Sequence, residues 1–330
     1  MSAPATAALR DIQRPIQTEL ASVGDELHRI IAADFPRIAE ISSHLLRAKG
    51  KLFRPTVLLL SHQATGGRDP RAVTLAATVE LIHLATLVHD DSVDHSALRR
   101  GMPTVNALFS HQTAVIMGDY LYSRAIQELV RLADVEPLRI LARVTNEMTI
   151  GEMRQLEAHD RLAFSEADYD LLIRAKTASL LSGACEVGAL HATPGEREAL
   201  RRFGFYVGMA FQIADDLLDY TQTEAVTGKP CGLDLKEHKV TLPLIAALAG
   251  GQLGREGRRQ VEILMATAEP PDPMVQGVIR AVEAAGGLRY AQRRAHGLAR
   301  QAEAELDALP PSPARDALRD TIAYAVERDS

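Results

Sequence analysis

The sequence predicts an all-α fold, one domain of about ten or more helices, and three observations predict it. Ala, Leu, Arg and Glu dominate the 330 residues, aromatic residues make up 4% and Trp is absent, a composition rich in strong helix formers. Apolar residues recur at helical spacing almost from end to end, and strand-like alternation is nearly absent. The breakers between the periodic runs are "ATGGRDP" at 64–70, "GMP" at 101–103, "TPGE" at 193–196, "AEPPDP" at 268–273 and "LPPSP" at 309–313, all too short for interdomain linkers.

Taken in order, the first fifteen or so residues are Ala/Pro/Thr-rich and terminal, and are expected to be loosely held. The helical pattern opens at "LHRIIAADFPRIAEISSHLL" and resumes at "TVLLLSHQA", where Pro55 suits a first helical turn. "AVTLAATVELIHLATLV" reads as a core helix that ends abruptly in charge, "HDDSVDHSALRRG". "AVIMGDYLYSRAIQELVRLA" and "ILARVTNEMTIGEMRQLEA" keep the spacing, as do "YDLLIRAKTASLLSGACEVGAL" and "LRRFGFYVGMAFQIADDLLDY". "TLPLIAALAG" and two C-terminal helices ending near "AYAVERDS" complete the chain, with no solenoid repeat.

The net charge of −6 argues against a nucleic-acid binder. Cys185 and Cys231 form neither a disulfide framework nor a zinc pattern, so a reducing cytoplasm is expected. The N-terminus lacks a signal-peptide pattern, and no apolar run reaches the eighteen or so residues of a membrane span. A soluble cytoplasmic protein is expected.

Asp90, Asp91 and Asp94 are spaced DDxxD, and the spacing returns at Asp215, Asp216 and Asp219. In a helix, Asp90 and Asp94 stack on one face with Asp91 about 100° round from Asp90. With 21 aspartates in 330 residues, chance supplies roughly 0.1 such motif per chain, so a pair is a strong signal. Solvated helix ends would also be acidic, but stacked like charges repel, and acids near a helix C-terminus oppose its dipole. Cations must offset that cost. Mg²⁺ favours oxygen ligands, typically one or two carboxylates completed by water and phosphate, so two acid clusters point to a magnesium–diphosphate site.

Only six of the 37 basic residues are lysines: Lys49, Lys51, Lys176, Lys229, Lys236 and Lys239. They fall in three clusters, "KGKLFRP", "AKTASL" and "GKPCGLDLKEHKVTLP", and Arg99–Arg100–Gly101 follows the first acid motif at once. Lys offers a compact point charge, and basic residues opening a helix make an anion site. Acid and basic clusters in one pocket imply a metal-bridged polyanion.

These motifs, GKxxRP, DDxxD–RRG, KT, FQxxDDxxD and GK…DL…K before TLP, occur in order, and the chain resembles the trans-isoprenyl diphosphate synthases, a family folded as an α-helical bundle around a central cavity. The resemblance runs from "ISSHLLRAKGKLFRPTVLLLS" to about "TLPLIAALAG". It implies that Asp90, Asp94 and Asp215 ligate Mg²⁺, about three ions with substrate bound, supported by Asp91, Asp216 and Asp219. It places Arg99, Lys176, Lys229 and Lys239 on an allylic diphosphate, and Lys51, Arg54, His83 and Arg100 on the diphosphate of isopentenyl diphosphate. Thr177 and Gln212, with Lys176, would act at the developing allylic cation. Ionisation of the allylic C–O bond, attack by the isopentenyl double bond and loss of a proton follow, in a cavity that excludes water. A homodimer is implied, and peripheral membrane contact through the lipid product.

His89 reads as a helix histidine, and Met117 and Tyr120 as packing first and product channel second. Two positions depart from the family pattern: His95, where relatives often carry an acid, and His238, where Gly is frequent before the last Lys.

In a helix ending at Asp90, Thr86, Ala85 and Ile82 point down one cavity wall. Short-chain relatives carry a bulky aromatic near the position of Ala85. Its absence, with "VIMGDYLYSRA" and "IGEMRQLEA", implies a long-chain synthase making an all-trans product of roughly 30–50 carbons, with a geranylgeranyl or farnesyl product as the alternative. A class I terpene cyclase would share DDxxD but not need Lys51, Arg54 and His83. A non-catalytic subunit of a heteromeric synthase would be expected to lose acids from the motifs.

Overall fold

The computed structural model describes residues 8–47, 50–99, 101–158, 162–221 and 232–327. Lys49, Arg100, Lys229 and Cys231 lie outside the described residues.

The chain is almost entirely helical. A first turn, α1 (Leu9–Ile12), and a 3₁₀ turn at Arg14–Ile16 lead into α2 (Gln17–Ile31), α3 (Pro36–Arg47), α4 (Phe53–Ala64) and α5 (Arg71–Val93). The one pair of strands among the described residues, β1 (Leu98–Arg99) and β2 (Met102–Pro103), is antiparallel and turns at Gly101, where φ is +74°. Then follow α6 (Val105–Leu108), α7 (His111–Arg131), α8 (Val135–Ala158), α9 (Glu166–Ile173), α10 (Ser179–Gly188) and α11 (Pro194–Thr221). The remaining helices are α12 (Leu233–Lys236), α13 (Leu242–Ala249), α14 (Gly254–Met265), α15 (Asp272–Ala284), α16 (Gly287–Glu305) and α17 (Pro313–Val326).

Local chemistry sets the boundaries. Ser110 caps α7 by accepting from the Thr113 N–H, and Ser165 and Asp168 form a capping box at α9. The run expected from Leu27 to Leu46 breaks between Ile31 and Pro36, because proline cannot continue a helix but opens one well. The run from Tyr169 to Leu190 also differs from a plain helix: Arg174–Ala178 forms a π turn joining α9 to α10.

The loosely held N-terminus is corrected for the described part. Ile12 and Ile16 are fully buried, and α1 packs on α17, so apolar side chains at one-turn spacing dock this end despite its composition. The bundle is organised around three helices. α5 is apolar on all sides and packs against α2, α4, α7 and α10. Contrary to the expectation from the sequence, it is long and apolar enough to cross a membrane, but half of its most apolar stretch is buried inside the bundle. Every residue of α10 is buried. α11 crosses it closely: a Cβ on Gly204 would lie 2.5 Å from the Leu181 carbonyl oxygen, and one on Gly208 2.6 Å from the Cα of Ala178, the last residue of the π turn. α11 also supplies both hydrophobic clusters, Phe203 and Val207 to one and Met209 and Ile213 to the other. Both acid motifs thus sit at the ends of core helices.

Candidate active site

Asp90 lies in the last turn of α5 and Asp94 caps it, its N–H donating to the Asp90 carbonyl at 2.8 Å. Asp91 is buried and takes three contacts from Arg99 on β1: Nε to Oδ1 at 2.7 Å, Nε to Oδ2 at 2.9 Å and Nη2 to Oδ1 at 2.7 Å. Arg99, expected on a diphosphate, is thereby tied to the motif itself. Burial pushes the Asp90 carboxyl up to about 6, reinforced by Glu152 and Asp94 and opposed by Lys176 and Arg99.

The second cluster divides in the same way. Asp216 is buried and accepts from the Tyr169 hydroxyl at 2.6 Å and from Gln212 Nε2 at 2.8 Å. Burial pushes it up to about 7, against those hydrogen bonds and with Asp215 and Asp219 adding negative charge. Asp219 takes the backbone N–H groups of Leu233 at 3.0 Å and Asp234 at 3.1 Å, capping α12, and burial raises it too. Asp234, half-buried beside Asp216 and Asp219, is pushed well above its ordinary value by burial and by their negative charge. Asp94 and Asp215 are exposed. Asp91, Asp216 and Asp219, the three expected in support, are thus each held by protein donors.

Two lysines stand beside the clusters. Lys176 projects from the π turn, its Nζ 2.7 Å from Glu152 Oε1, 2.8 Å from Gln155 Oε1 and 3.7 Å from Asp90 Oδ2. A π turn inserts a residue and re-aims side chains, and such turns are frequent at functional sites. Burial pulls the Lys239 ammonium down, but Glu237, 2.6 Å away, together with Asp234 and Asp94 raises it above the usual lysine value. Asp219 in turn feels Lys239. The turn that carries Lys176 links the two motifs: Lys176 lies 3.7 Å from Asp90, and the next residue, Thr177, donates at 2.7 Å to Gln212, which donates at 2.8 Å to Asp216. Lys236 does not join it; it pairs with Asp272 of α15 at 2.5 Å.

Among the described residues no three His, Cys, Asp or Glu side chains converge on one point. Mg²⁺ takes one or two carboxylates and completes its shell with water and phosphate. Asp94 and Asp215 are exposed, and Asp90, whose ionisation burial opposes, would be relieved by a divalent cation. Asp90, Asp94 and Asp215 fit the group.

A second basic region lies beside this one. Lys51 and Arg54 flank the start of α4, and between them Phe53 stacks on Phe211 of α11 (5.7 Å, 23°) and meets Tyr324 of α17 (5.6 Å). Lys51 Nζ lies 5.7 Å from the centre of the Tyr324 ring, and Gln13 donates to the Lys51 carbonyl at 3.1 Å. Phe211 precedes Gln212, whose Oε1 accepts from Thr177 Oγ1 at 2.7 Å, so the stack places this region next to the Thr177–Gln212 pair. His83 is half-buried on α5, about two turns before Asp90. Below the acids Ile82 and Ala85 are buried, and the Thr86 hydroxyl donates to the His83 carbonyl at 2.8 Å. Met117 of the adjoining α7 is buried, and Tyr120 donates to the carbonyls of Ile31 and Ala32 at 3.2 Å. His89 reaches across to α7, 3.2 Å from the Val115 carbonyl and 3.3 Å from Asp119.

Backbone strain gathers here. Of four described non-glycine residues at positive φ, Leu52 (+50°), His95 (+50°) and His238 (+55°) adjoin Lys51, Asp94 and Lys239; the fourth is Ala133. Ring contacts hold the two histidines: His95 Nδ1 is 3.2 Å from His111 Nε2, and His238 Nε2 is 2.9 Å from the Thr267 carbonyl. The two departures from the family pattern are thereby accommodated.

Glu152, Gln155, Tyr169 and Asp234 escaped the sequence reading as site residues. Glu152 and Gln155 show only as an i,i+3 polar pair in "GEMRQ", and Asp234 only as the acid of "DLK".

Asp90 and Asp216 hold their protons more tightly folded than an ordinary carboxyl does unfolded. The folded chain therefore binds more protons between roughly pH 4 and 7, and stability falls as pH rises through that window. We expect the metal-free chain to melt several degrees lower near pH 7.5 than near pH 5, with Asp216→Asn flattening the decline. Mg²⁺ should restore the midpoint at the higher pH alone, since only ionised carboxylates bind it. Equal stabilisation by Mg²⁺ at both pH values contradicts this account.

The family model described as polyprenyl synthetase matches residues 35–275. The all-trans-nonaprenyl-diphosphate synthase (geranyl-diphosphate specific) of Rhodobacter capsulatus is 39% identical over 97% of this chain and 98% of its own length. The octaprenyl diphosphate synthase of Escherichia coli K12 is 34% identical over 97% of this chain and 99% of its own. The crystal structure of a polyprenyl synthase from Caulobacter crescentus, complexed with calcium and isoprenyl diphosphate, is similar with a TM-score of 0.93 at 32% identity, covering 99% of this chain and 100% of that one. With an all-α bundle, paired acid motifs and a family match over most of its length, the chain belongs to the polyprenyl synthetase family.

Proposed function

We propose that this chain is a cytoplasmic, single-domain, Mg²⁺-dependent prenyltransferase that condenses isopentenyl diphosphate with an allylic diphosphate to make a medium- or long-chain all-trans polyprenyl diphosphate. The observation that carries it is the link between the two acid motifs at the head of an apolar bundle: Lys176 stands at Asp90, and its neighbour Thr177 reaches Asp216 through Gln212. Bound Mg²⁺ supplies positive charge that stabilises the departing diphosphate. Lys176 and Lys239 add fixed charge there, and Lys51, Arg54 and His83 orient the second diphosphate for attack. Thr177 and Gln212 present oxygen to the allylic carbon as it becomes positive. The buried aliphatic walls of α5 and α7 keep water from the cation. The nonaprenyl and octaprenyl relatives support a long product, as does Ala85, which leaves the α5 wall without a bulky block.

A homodimer belongs to the same reading. Val115 and Ile116 of α7 and Ile150, Met153 and Leu156 of α8 are 46–66% exposed on two neighbouring helices. A second copy of the chain is the partner we assign to that apolar surface.

Purified chain with Mg²⁺, farnesyl diphosphate and labelled isopentenyl diphosphate is expected to yield chains of roughly 30–50 carbons. Asp90→Asn should lower the rate at least about a hundredfold, and Ala85→Phe should shorten the product. Hydrocarbon products contradict the proposal in favour of a cyclase. Silence rescued only by another chain assigns a subunit role, and unchanged length in Ala85→Phe removes Ala85 from the tunnel wall. By sedimentation, Ile116→Asp with Met153→Asp should convert dimer to monomer; a wild-type monomer, or a dimer indifferent to both changes, contradicts the assigned surface.

A further inference from the structure

One line of hydrogen bonds runs from the core to the reaction centre. Tyr169 of α9 is 1% exposed, and its hydroxyl donates to Asp216 Oδ2 at 2.6 Å. Asp216 Oδ1 accepts from Gln212 Nε2 at 2.8 Å, one turn back on α11, and Gln212 Oε1 accepts from Thr177 Oγ1 at 2.7 Å on the π turn. The direction of each bond follows from the groups. With Asp216 ionised, the carboxylate has no hydrogen to give, so the amide turns its NH₂ to Asp216 and its carbonyl to Thr177. The single hydroxyl hydrogen of Thr177 is then committed to Gln212, and its Oγ1 can act toward anything else only as an acceptor.

We propose that Tyr169 is a positioning residue for prenyl transfer. By fixing Asp216 it fixes the Gln212 amide, and so holds the Thr177 oxygen with its negative side available to the charge that develops on the allylic carbon. The assignment rests on the synthase reading above and deepens it. Tyr169 touches neither substrate in this scheme; it acts through two intermediaries on three elements, α9, α11 and the π turn. Without its hydroxyl, Asp216 keeps one donor and can rotate, and the amide loses the constraint that sets its orientation. Preorganised dipoles lose most of their catalytic value once they must reorganise during the reaction.

The test is steady-state kinetics of full-length Tyr169→Phe, Gln212→Met and the double variant, each with a thermal melt and a Mg²⁺ titration. Phe keeps the ring and removes only the hydroxyl. The expected result is a fall in kcat of about tenfold in Tyr169→Phe, with both KM values and the Mg²⁺ requirement unchanged. In the Gln212→Met background the same change should cost nothing further, because the intermediary is gone. An unchanged kcat overturns the proposal. So does an equal fold-loss in both backgrounds, or an unfolded Tyr169→Phe chain, since either marks Tyr169 as core packing. A loss reversed by more Mg²⁺ overturns it in favour of metal support through Asp216. A wild-type chain that elongates nothing is a separate outcome: it contradicts the synthase reading and takes this assignment with it.

Discussion

The constraint on which the rest depends is the confinement of like charge. Asp90, Asp216, Asp219 and Asp234 are held with their ionisation opposed by burial, an arrangement that drifts apart or protonates unless cations stand among the acids. Lys176, Lys239 and Arg99 are those cations. Each is anchored by a second partner: Lys176 by Glu152 and Gln155, Lys239 by Glu237, and Arg99 by its place on β1. The residual excess of negative charge is what a divalent cation with a polyanionic substrate would complete.

The frame explains why this confinement holds. α5 and α11 are core helices that carry their acids near their C-terminal ends, and α10, buried along its whole length, packs against both. The close crossing at Gly204 and Gly208 fixes α11 against α10, so the π turn carrying Lys176 and Thr177 has a set distance from Gln212 and Asp216. Left-handed backbone at Leu52, His95 and His238 shows the opposite of relaxed geometry at the connections bearing Lys51, Asp94 and Lys239. Strain of this kind persists only where surrounding contacts over-determine it.

Much of this was legible in the sequence. The helices follow from apolar spacing, and the site follows from the repeated DDxxD and the clustered lysines, because those residue types are improbable at that density without a charged ligand. What escaped did so for physical reasons. A π turn changes hydrogen-bond register without changing composition, so "RAKTA" reads as ordinary helix. Tyr169 looks like one more core aromatic until its hydroxyl is seen against Asp216. Lys236 shares a cluster with Lys239, yet a neighbouring helix claims it through Asp272, which spacing cannot reveal. The docked N-terminus depended on Ile12 and Ile16 finding α17, a contact some 300 residues away in sequence.

The central claim is that the two acid motifs form one cation-dependent diphosphate site rather than two independent acidic surfaces. Calorimetry of inorganic diphosphate binding, with and without Mg²⁺, to the wild-type chain and to Asp90→Asn and Asp215→Asn tests it most directly. The account predicts binding only when Mg²⁺ is present, and its loss when either motif alone is altered. Diphosphate that binds equally well without Mg²⁺, or that needs only one of the two motifs, would contradict it.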